Sequence, residues 1–399
     1  MSSTRSNTLI KVGVVRGGPT SEYDVSLKTG QHILNMLNKE PLSETYKGVD
    51  ILIDKDGVWH VQGVPETPES ALRKVDVIFN ATKGSFNKGE PLQRILETFS
   101  MPFVGTKTYG ASISKNKKMA KDHFKIHGVK TPYYKELSIP LDADLNPVAL
   151  DLFRSFPMPV VVKPVGQGSS LGVSFAANFD ELVEALRHAR GFSEEVLVEE
   201  YLTGKEIISG FIDDFRGQDL YHLFPVEVKP HTETLSNAVP AREPISDPVA
   251  DIKTVETSVE DLSPEEQVIA DKLAQTRASI EANTLGSGEI LYKKPKHSIF
   301  SWIAKHAGLY DHNAPANLSK DEKKIIDEAM KKIREMLGLR HFATADFIVH
   351  PKRGVYLLEI NTDPSMHEHS PVYKALDAGG IKHHEFLDHV LRLALQSKK

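Results

Sequence analysis

The chain has 399 residues, 40% of them hydrophobic and 26% charged, with a formal net charge of −5. That is the make-up of a globular protein with core enough for two or three domains, and its acidic balance gives no support to nucleic-acid binding. There is no cysteine, so disulfides, thiolate nucleophiles and cysteine-bound zinc are excluded; no apolar run suits a signal peptide or a membrane span, so a cytoplasmic protein with no membrane partner is expected.

Leu9–Val15 reads as a parallel-type strand. It runs through the turn Arg16–Glu22 into a helix from about Asp24 to Leu37, a place where backbone N–H groups can meet an anion. The spacing is not GxGxxG, and Ser21 and Asp24 read most simply as helix caps. Asp50–Ile53 and Val58–Val61 form a hairpin around Asp56-Gly57. Val75–Asn80 is a further strand, followed by a loop over Ala81–Glu90, a helix through Glu97 and a short extended Pro102–Gly105. Alternating strands and helices predict a parallel α/β domain over residues 1–106, with the loops Gly17–Glu22 and Lys83–Gly89 near each other beyond the strand ends.

A second unit, 107–200, opens with a basic helix over Ser114–Gly128. Met158–Pro164 is a strand, Val165–Gly172 a glycine-serine loop, and Val173–Ala176 a returning strand. This is not a P-loop, which needs GxxxxGK[ST] before a helix. Its amides and the Ser169 and Ser170 hydroxyls can close over phosphates, with Lys163 as a point charge at the mouth; the plainer reading is a hairpin connection. A capped helix over Asp180–Arg190 and the strand Val196–Glu200 complete the unit.

The third unit, 201–399, begins with strands Ile207–Ile212 and Tyr221–Val228. An excursion over about 229–309 follows, rich in Glu, Thr, Pro and Ser at first, with a helix expected at Pro264–Ala282 and an apolar cluster at Ile299–Ile303. Ser319–Leu337 is a helix with a capping box from Ser319 to Glu322. Ala345–Val349 and Val355–Ile360 are strands joined by a turn at Pro351–Gly354, and a helix over about His384–Gln396 ends the chain. Glu359 and Asn361 share a strand face, being two residues apart, and Asp346 lies on the partner strand. Two carboxylates and an amide suit a hard cation such as Mg²⁺ whose shell water and phosphate complete; the alternative is a hairpin with a polar mouth.

Four stretches in this order, KVGVVRGGPTSEYDVSLKTG, KPVGQGSSLGVS, VEEYLTGKEI and LLEINTDPSM, resemble the ATP-grasp superfamily and, within it, the D-alanine–D-alanine ligases, over most of the chain except about 229–309. The resemblance implies an α/β N-terminal domain followed by two α+β domains that sandwich ATP. It implies a ligase that uses ATP and Mg²⁺ (or Mn²⁺) to join two amino acids in peptidoglycan precursor synthesis, and it is compatible with a homodimer. Lys117 and Lys163 correspond to lysines on the ATP phosphates. Glu199, Glu200, Tyr201 and Leu202 match the adenine hinge, Glu206 a ribose-binding carboxylate, and Gly168, Ser169 and Ser170 the flap. Asp346, Glu359 and Asn361 match the metal ligands, Glu22 and Ser26 the first amino-acid site, and Ser370 a serine on the second amino acid's carboxylate.

The chain departs from the family at Lys83, where a histidine precedes the loop glycine, and at Asn87-Lys88-Gly89, which replaces an acidic pair. It departs again at Thr344, where the family has an arginine on the reacting carboxylate, and at Ser365, where it has glycine, with His367-Glu368-His369 following. All fall on the amino-acid side. Lys83 is the candidate replacement for the arginine charge, although a loop lysine is ordinarily solvated. Two other readings stay open: a ligase with another amino-acid donor or acceptor, and an ATP-binding homologue that no longer ligates.

Overall fold

The computed structural model describes residues 9–84, 91–166, 172–230 and 310–396. The described residues belong to one compact unit, and residues 231–299 lie outside them. So do Gly168, Ser169, Ser170, Asn87-Lys88-Gly89, the expected helix at Pro264–Ala282 and the cluster Ile299–Ile303.

Three sheets follow one another along the chain. The first contains β1 (Ile10–Gly17), β2 (Tyr46–Ile53), β3 (Trp59–Val61), β4 (Val64–Glu66), β5 (Val77–Asn80) and β6 (Phe103–Val104), in the order β4-β3-β2-β1-β5-β6. Strands β2, β1, β5 and β6 are parallel, and β3 and β4 add antiparallel partners at one edge. Val12 and Val14 of β1 pack toward helix α1 (Tyr23–Leu37), while Val15 packs on the other face with Leu92 and Leu96. Burial on both faces is what an apolar parallel strand requires. Two short helices, α2 (Pro68–Leu72) and α3 (Leu92–Thr98), complete this part.

The expected basic helix over Ser114–Gly128 is two helices, α4 (Thr108–Lys115) and α5 (Lys117–Ile126). Asn116 breaks them: its backbone is extended and its side chain caps the second helix by accepting the Met119 N–H. A short amide side chain competes with the helix for its own backbone in this way. The second sheet is antiparallel, ordered β7-β10-β8-β9 from β7 (Tyr134–Ser138), β8 (Val160–Pro164), β9 (Ser174–Ala176) and β10 (Glu195–Glu200). One face packs on α6 (Leu145–Ser155) and α7 (Phe179–Arg190) through Val160, Val162, Val196 and Val198. The other face carries Lys163 and Glu199.

The third sheet holds β11 (Lys205–Phe215), β12 (Gln218–His222), β13 (Val226–Pro230), β14 (Tyr310–Asn313), β15 (Phe342–His350) and β16 (Gly354–Asn361). The single strand expected over Tyr221–Val228 is therefore two, interrupted at Leu223–Pro225, where the proline removes a ladder donor. Helix α8 (Lys320–Leu337) has both capping-box hydrogen bonds between Ser319 and Glu322 and packs Ile326, Met330 and Ile333 on Phe347, Val349 and Leu357. Helices α9 (Pro371–Ala378) and α10 (His383–Gln396) follow. The last helix returns to the first sheet, where Phe386, Val390 and Leu391 join the cluster of Val12 and Val14.

Candidate active site

The centre of the site is a buried ion network on the second sheet. Lys163 pairs in register with Leu197, so Glu199, two residues on, lies diagonally across the same face. Their side chains meet at 2.8 Å, and Lys121 of α5 approaches the other carboxylate oxygen at 3.1 Å. Glu199 is 2% exposed and Lys121 1%. Burial alone would raise the Glu199 carboxyl; Lys121 and Lys163 outweigh it and hold it down at about 2. Burial also works against the Lys163 ammonium, but Glu199, then Glu359 and Asp346, leave it raised. Lys117 is lowered by burial, with Glu359 opposing most strongly. One carboxylate thus stabilises two cations.

The third sheet supplies the opposing groups. Asp346 is cross-strand partner to Glu359, and Asn361 continues two residues along β16. Their neighbours Ala345, Phe347 and Ile360 face α8, so the three oxygen-bearing side chains lie on the opposite face together. A register shift between Asp346 and Phe347 lets Glu359 stand against Asp346. The shared face and all-oxygen donor set fit a hard divalent ion. Among the described residues no cluster of three or more His, Cys, Asp and Glu side chains suits a metal, and this one qualifies only by counting the Asn361 amide.

Beside it, Leu202, Ile348 and Tyr356 form a small apolar cluster with Leu358. Glu206 pairs with Ile348 and Ile208 with Asp346, which places Glu206 along the same face. Gly204 must be glycine: a Cβ would lie 2.3 Å from the Val349 carbonyl oxygen. The segment Glu199–Leu202, expected as a hinge, is tied down from outside. The Arg353 guanidinium grips the Glu200 carboxylate at 2.7 and 3.1 Å, and the Tyr133 N–H donates to the same carboxylate at 3.0 Å. The Glu200 side chain is therefore a tether between segments. Tyr201 stacks edge-on against Phe175 of β9, with ring centres 5.0 Å apart.

The residues expected on the amino-acid side lie where the first sheet meets the chain after β16. Thr20 donates its hydroxyl to the Lys83 carbonyl at 3.1 Å, joining the two loops as expected. Gly17, at φ +85°, admits no side chain because a Cβ would stand 2.1 Å from the Ile53 carbonyl oxygen. Glu22 occupies the N-cap of α1, and no side chain caps that helix, so neither Ser21 nor Asp24 has the expected role. The Ser26 hydroxyl accepts the Gly17 N–H at 2.8 Å and is fully buried, which braces the turn. Ser370 is fully buried at the N-cap of α9, and its hydroxyl has no hydrogen-bond partner among the described residues. An orphaned hydroxyl at a helix N-terminus fits a carboxylate. Ser365 is half-buried five residues before it.

Lys83 corrects the expectation of a solvated loop lysine. It is 6% exposed and donates to the backbone carbonyl of Asp363. Burial lowers its ammonium to about 8, with Asp363 and Glu22 opposing and Lys115 adding to the fall. Thr344 is buried and pairs with Asn361, two residues before Asp363, so Lys83 reaches the chain just beyond the metal-type strand. One participant carries no mark in the sequence reading: Lys121 follows Lys117 by four residues, a spacing that puts them on one helix face. Asp363 is visible as an oxygen-bearing residue at the exit of the strand, with Glu359 and Asn361, but its contact with Lys83, 280 residues away, has no local signal.

A family model described as "D-ala D-ala ligase C-terminus" matches residues 125–233 and 222–392. A D-alanine–D-alanine ligase of Carboxydothermus hydrogenoformans is 24% identical over 98% of this chain and 100% of its own. Among solved structures, D-alanyl-alanine synthetase A of Vibrio cholerae superposes with a TM-score of 0.67 at 20% identity, covering 98% of this chain and 99% of its own. The Bacillus anthracis D-alanine–D-alanine ligase complexed with ATP gives 0.64 at 20% identity, over 98% of both chains. The sheet order and this end-to-end likeness make the fold ATP-grasp, and the match from residue 125 to residue 392 places the chain in the D-alanine–D-alanine ligase family.

Proposed function

We propose that the protein is an ATP- and Mg²⁺-dependent ligase that joins two amino acids through an acyl phosphate, with D-alanine in both places. The observation that carries this reading is the charge array: Lys163 and Lys121 on Glu199, opposite Asp346, Glu359 and Asn361. Residues 1–106 would hold the first amino acid, 107–200 would carry the flap, and 201–399 the metal and acceptor groups. A cytoplasmic location and a homodimer belong to the same reading.

A carboxylate is a poor electrophile. Its attack on the γ-phosphorus releases ADP and leaves an acyl phosphate; the amine of the second amino acid then attacks the carbonyl, expels phosphate and loses a proton. The protein's part is to balance charge and hold the reactants in line. Lys117 and Lys163 would bind the phosphates. Leu202, Ile348 and Tyr356 would hold the base beside the hinge backbone, and Glu206 the ribose. Asp346, Glu359 and Asn361 would hold Mg²⁺ or Mn²⁺, which when bound shields the phosphate oxygens. Glu22 would orient the first amino acid and Ser370 would bind the second carboxylate. Gly168, Ser169 and Ser170 would close over the nucleotide and exclude water.

The reading is tested by phosphate release from Mg²⁺–ATP across a panel of D- and L-amino acids. Stimulation by D-alanine is expected; stimulation by another amino acid alone makes the protein a ligase of different substrate, with Thr344, Ser365 and Lys83 as the positions that distinguish it. No stimulation by any of them replaces the ligase with an ATP-binding homologue. A separate expectation concerns Lys163→Ala. Glu199 keeps Lys121, so the fold survives, while ATP affinity falls by at least about tenfold, or 1.4 kcal/mol. Calorimetry giving wild-type affinity would remove Lys163 from the phosphate site.

A further inference from the structure

We propose that Asp363 is the positioning residue of the amino-acid half-site, holding Lys83 over the exit of β16. The inference rests on the ligase reading for its kinetic arm alone. Asp363 stands two residues beyond Asn361. Its carboxylate accepts from Asn80 Nδ2 at 3.2 Å and from Gln93 Nε2 at 3.1 and 3.2 Å, and it faces the Lys115 ammonium at 3.6 Å. Its side chain is only 7% exposed. Its backbone carbonyl accepts from Lys83 Nζ.

Two of these partners, Asn80 and Lys115, reach back to the segment that presents Lys83. Asn80 accepts both the N–H and the hydroxyl of Thr82, and Lys115 also donates to the Gly84 carbonyl at 2.6 Å. One acidic side chain therefore fixes the loop on both sides of Lys83, and its own peptide holds the ammonium. A lone lysine carries rotamer entropy that such a cradle removes in advance. The arrangement does for a lysine what a planar guanidinium does unaided: it fixes where the charge sits. Lys83 and Asp363 are partners, and the position vacated at Thr344 is served from across the interface between the first sheet and the chain after β16.

Asp363→Asn is the test, because asparagine still accepts from the two amides while releasing Lys115. In the full-length, ligand-free protein, acetylation of Lys83 by acetic anhydride, read by mass spectrometry, is expected to rise at least about threefold in this variant, with exposed Lys324 as the internal reference. Equal labelling of Lys83 in parent and variant overturns the positioning, whatever the enzyme does. In the kinetic arm, Asp363→Asn is expected to lower kcat for amino-acid-dependent phosphate release about tenfold, with the ATP KM within about twofold and little further loss in a Lys83→Ala background. Losses that add fully in the double variant mean that Asp363 acts apart from Lys83, and the proposal fails. A parent that no amino acid stimulates removes the ligase reading, and the labelling still decides Asp363.

Discussion

Glu359→Gln is expected to cut amino-acid-dependent turnover by at least about 10²-fold while leaving the fold in place. The substitution keeps the shape of the side chain and removes one of two carboxylates from the metal-type face, where Glu359 stands directly across from Asp346. The same charge acts on Lys117 and Lys163, so the variant weakens both the cation site and the protonation of its neighbours. Without nucleotide, its melting temperature should stay close to that of the parent, because the core side chains of β16, Leu357 and Ile360, point the other way. With Mg²⁺ and ATP the two should part. A ligand at 100 times its Kd stabilises by about 2.7 kcal/mol, and a tenfold loss of affinity removes about 1.3 of that. Parallel melts and phosphate release check this; full turnover in Glu359→Gln would mean that the metal is held elsewhere.

The reach of sequence reading differs along the chain for physical reasons. The β15–β16 hairpin was legible because its apolar runs are bounded by the turn Pro351–Gly354, and strand period alone puts Glu359 and Asn361 on one face. The capping box at Ser319 and Glu322 was legible because its whole mechanism lies within four residues. The break at Asn116 was not: the amphipathic pattern runs through it, and the deciding event is one side chain choosing the Met119 N–H. Strand β7 is half-buried along most of its length, and so carries no alternation to read. Lys163 stands out beside the flap, but the sequence marks its partner Glu199 only as hinge, since the diagonal contact depends on a register that no local pattern encodes. The burial of Lys83 depends on a segment far along the chain, and the same residue type at a loop tip is usually solvated.

Lys83→Ala is expected to lower kcat by about 10²-fold with little change in the ATP KM, the pattern of an interaction made chiefly in the transition state. The reasoning starts from Thr344, which is buried and cannot supply the forked positive charge of an arginine. Negative charge still builds on the oxygens of the reacting carboxyl, and Lys83 is the buried cation brought to the exit of the strand that pairs with Thr344. Its ammonium, lowered to about 8 by burial, loses its charge as pH rises through that value. The sign follows: a rate that needs the cation falls on the alkaline side with a midpoint near 8, and that limb should be missing from Lys83→Ala. Thr344→Arg adds the opposite test. With a guanidinium restored, the amino-acid preference should shift or D-alanine ligation should rise, and the double variant Lys83→Ala/Thr344→Arg should recover part of the lost kcat. Steady-state kinetics of the three variants over the amino-acid panel and a range of pH check this. Wild-type kinetics and an intact alkaline limb in Lys83→Ala would leave the reacting carboxyl without Lys83, and the charge opposite it would have to come from the nucleotide side, where Glu359 acts on Lys117 and Lys163.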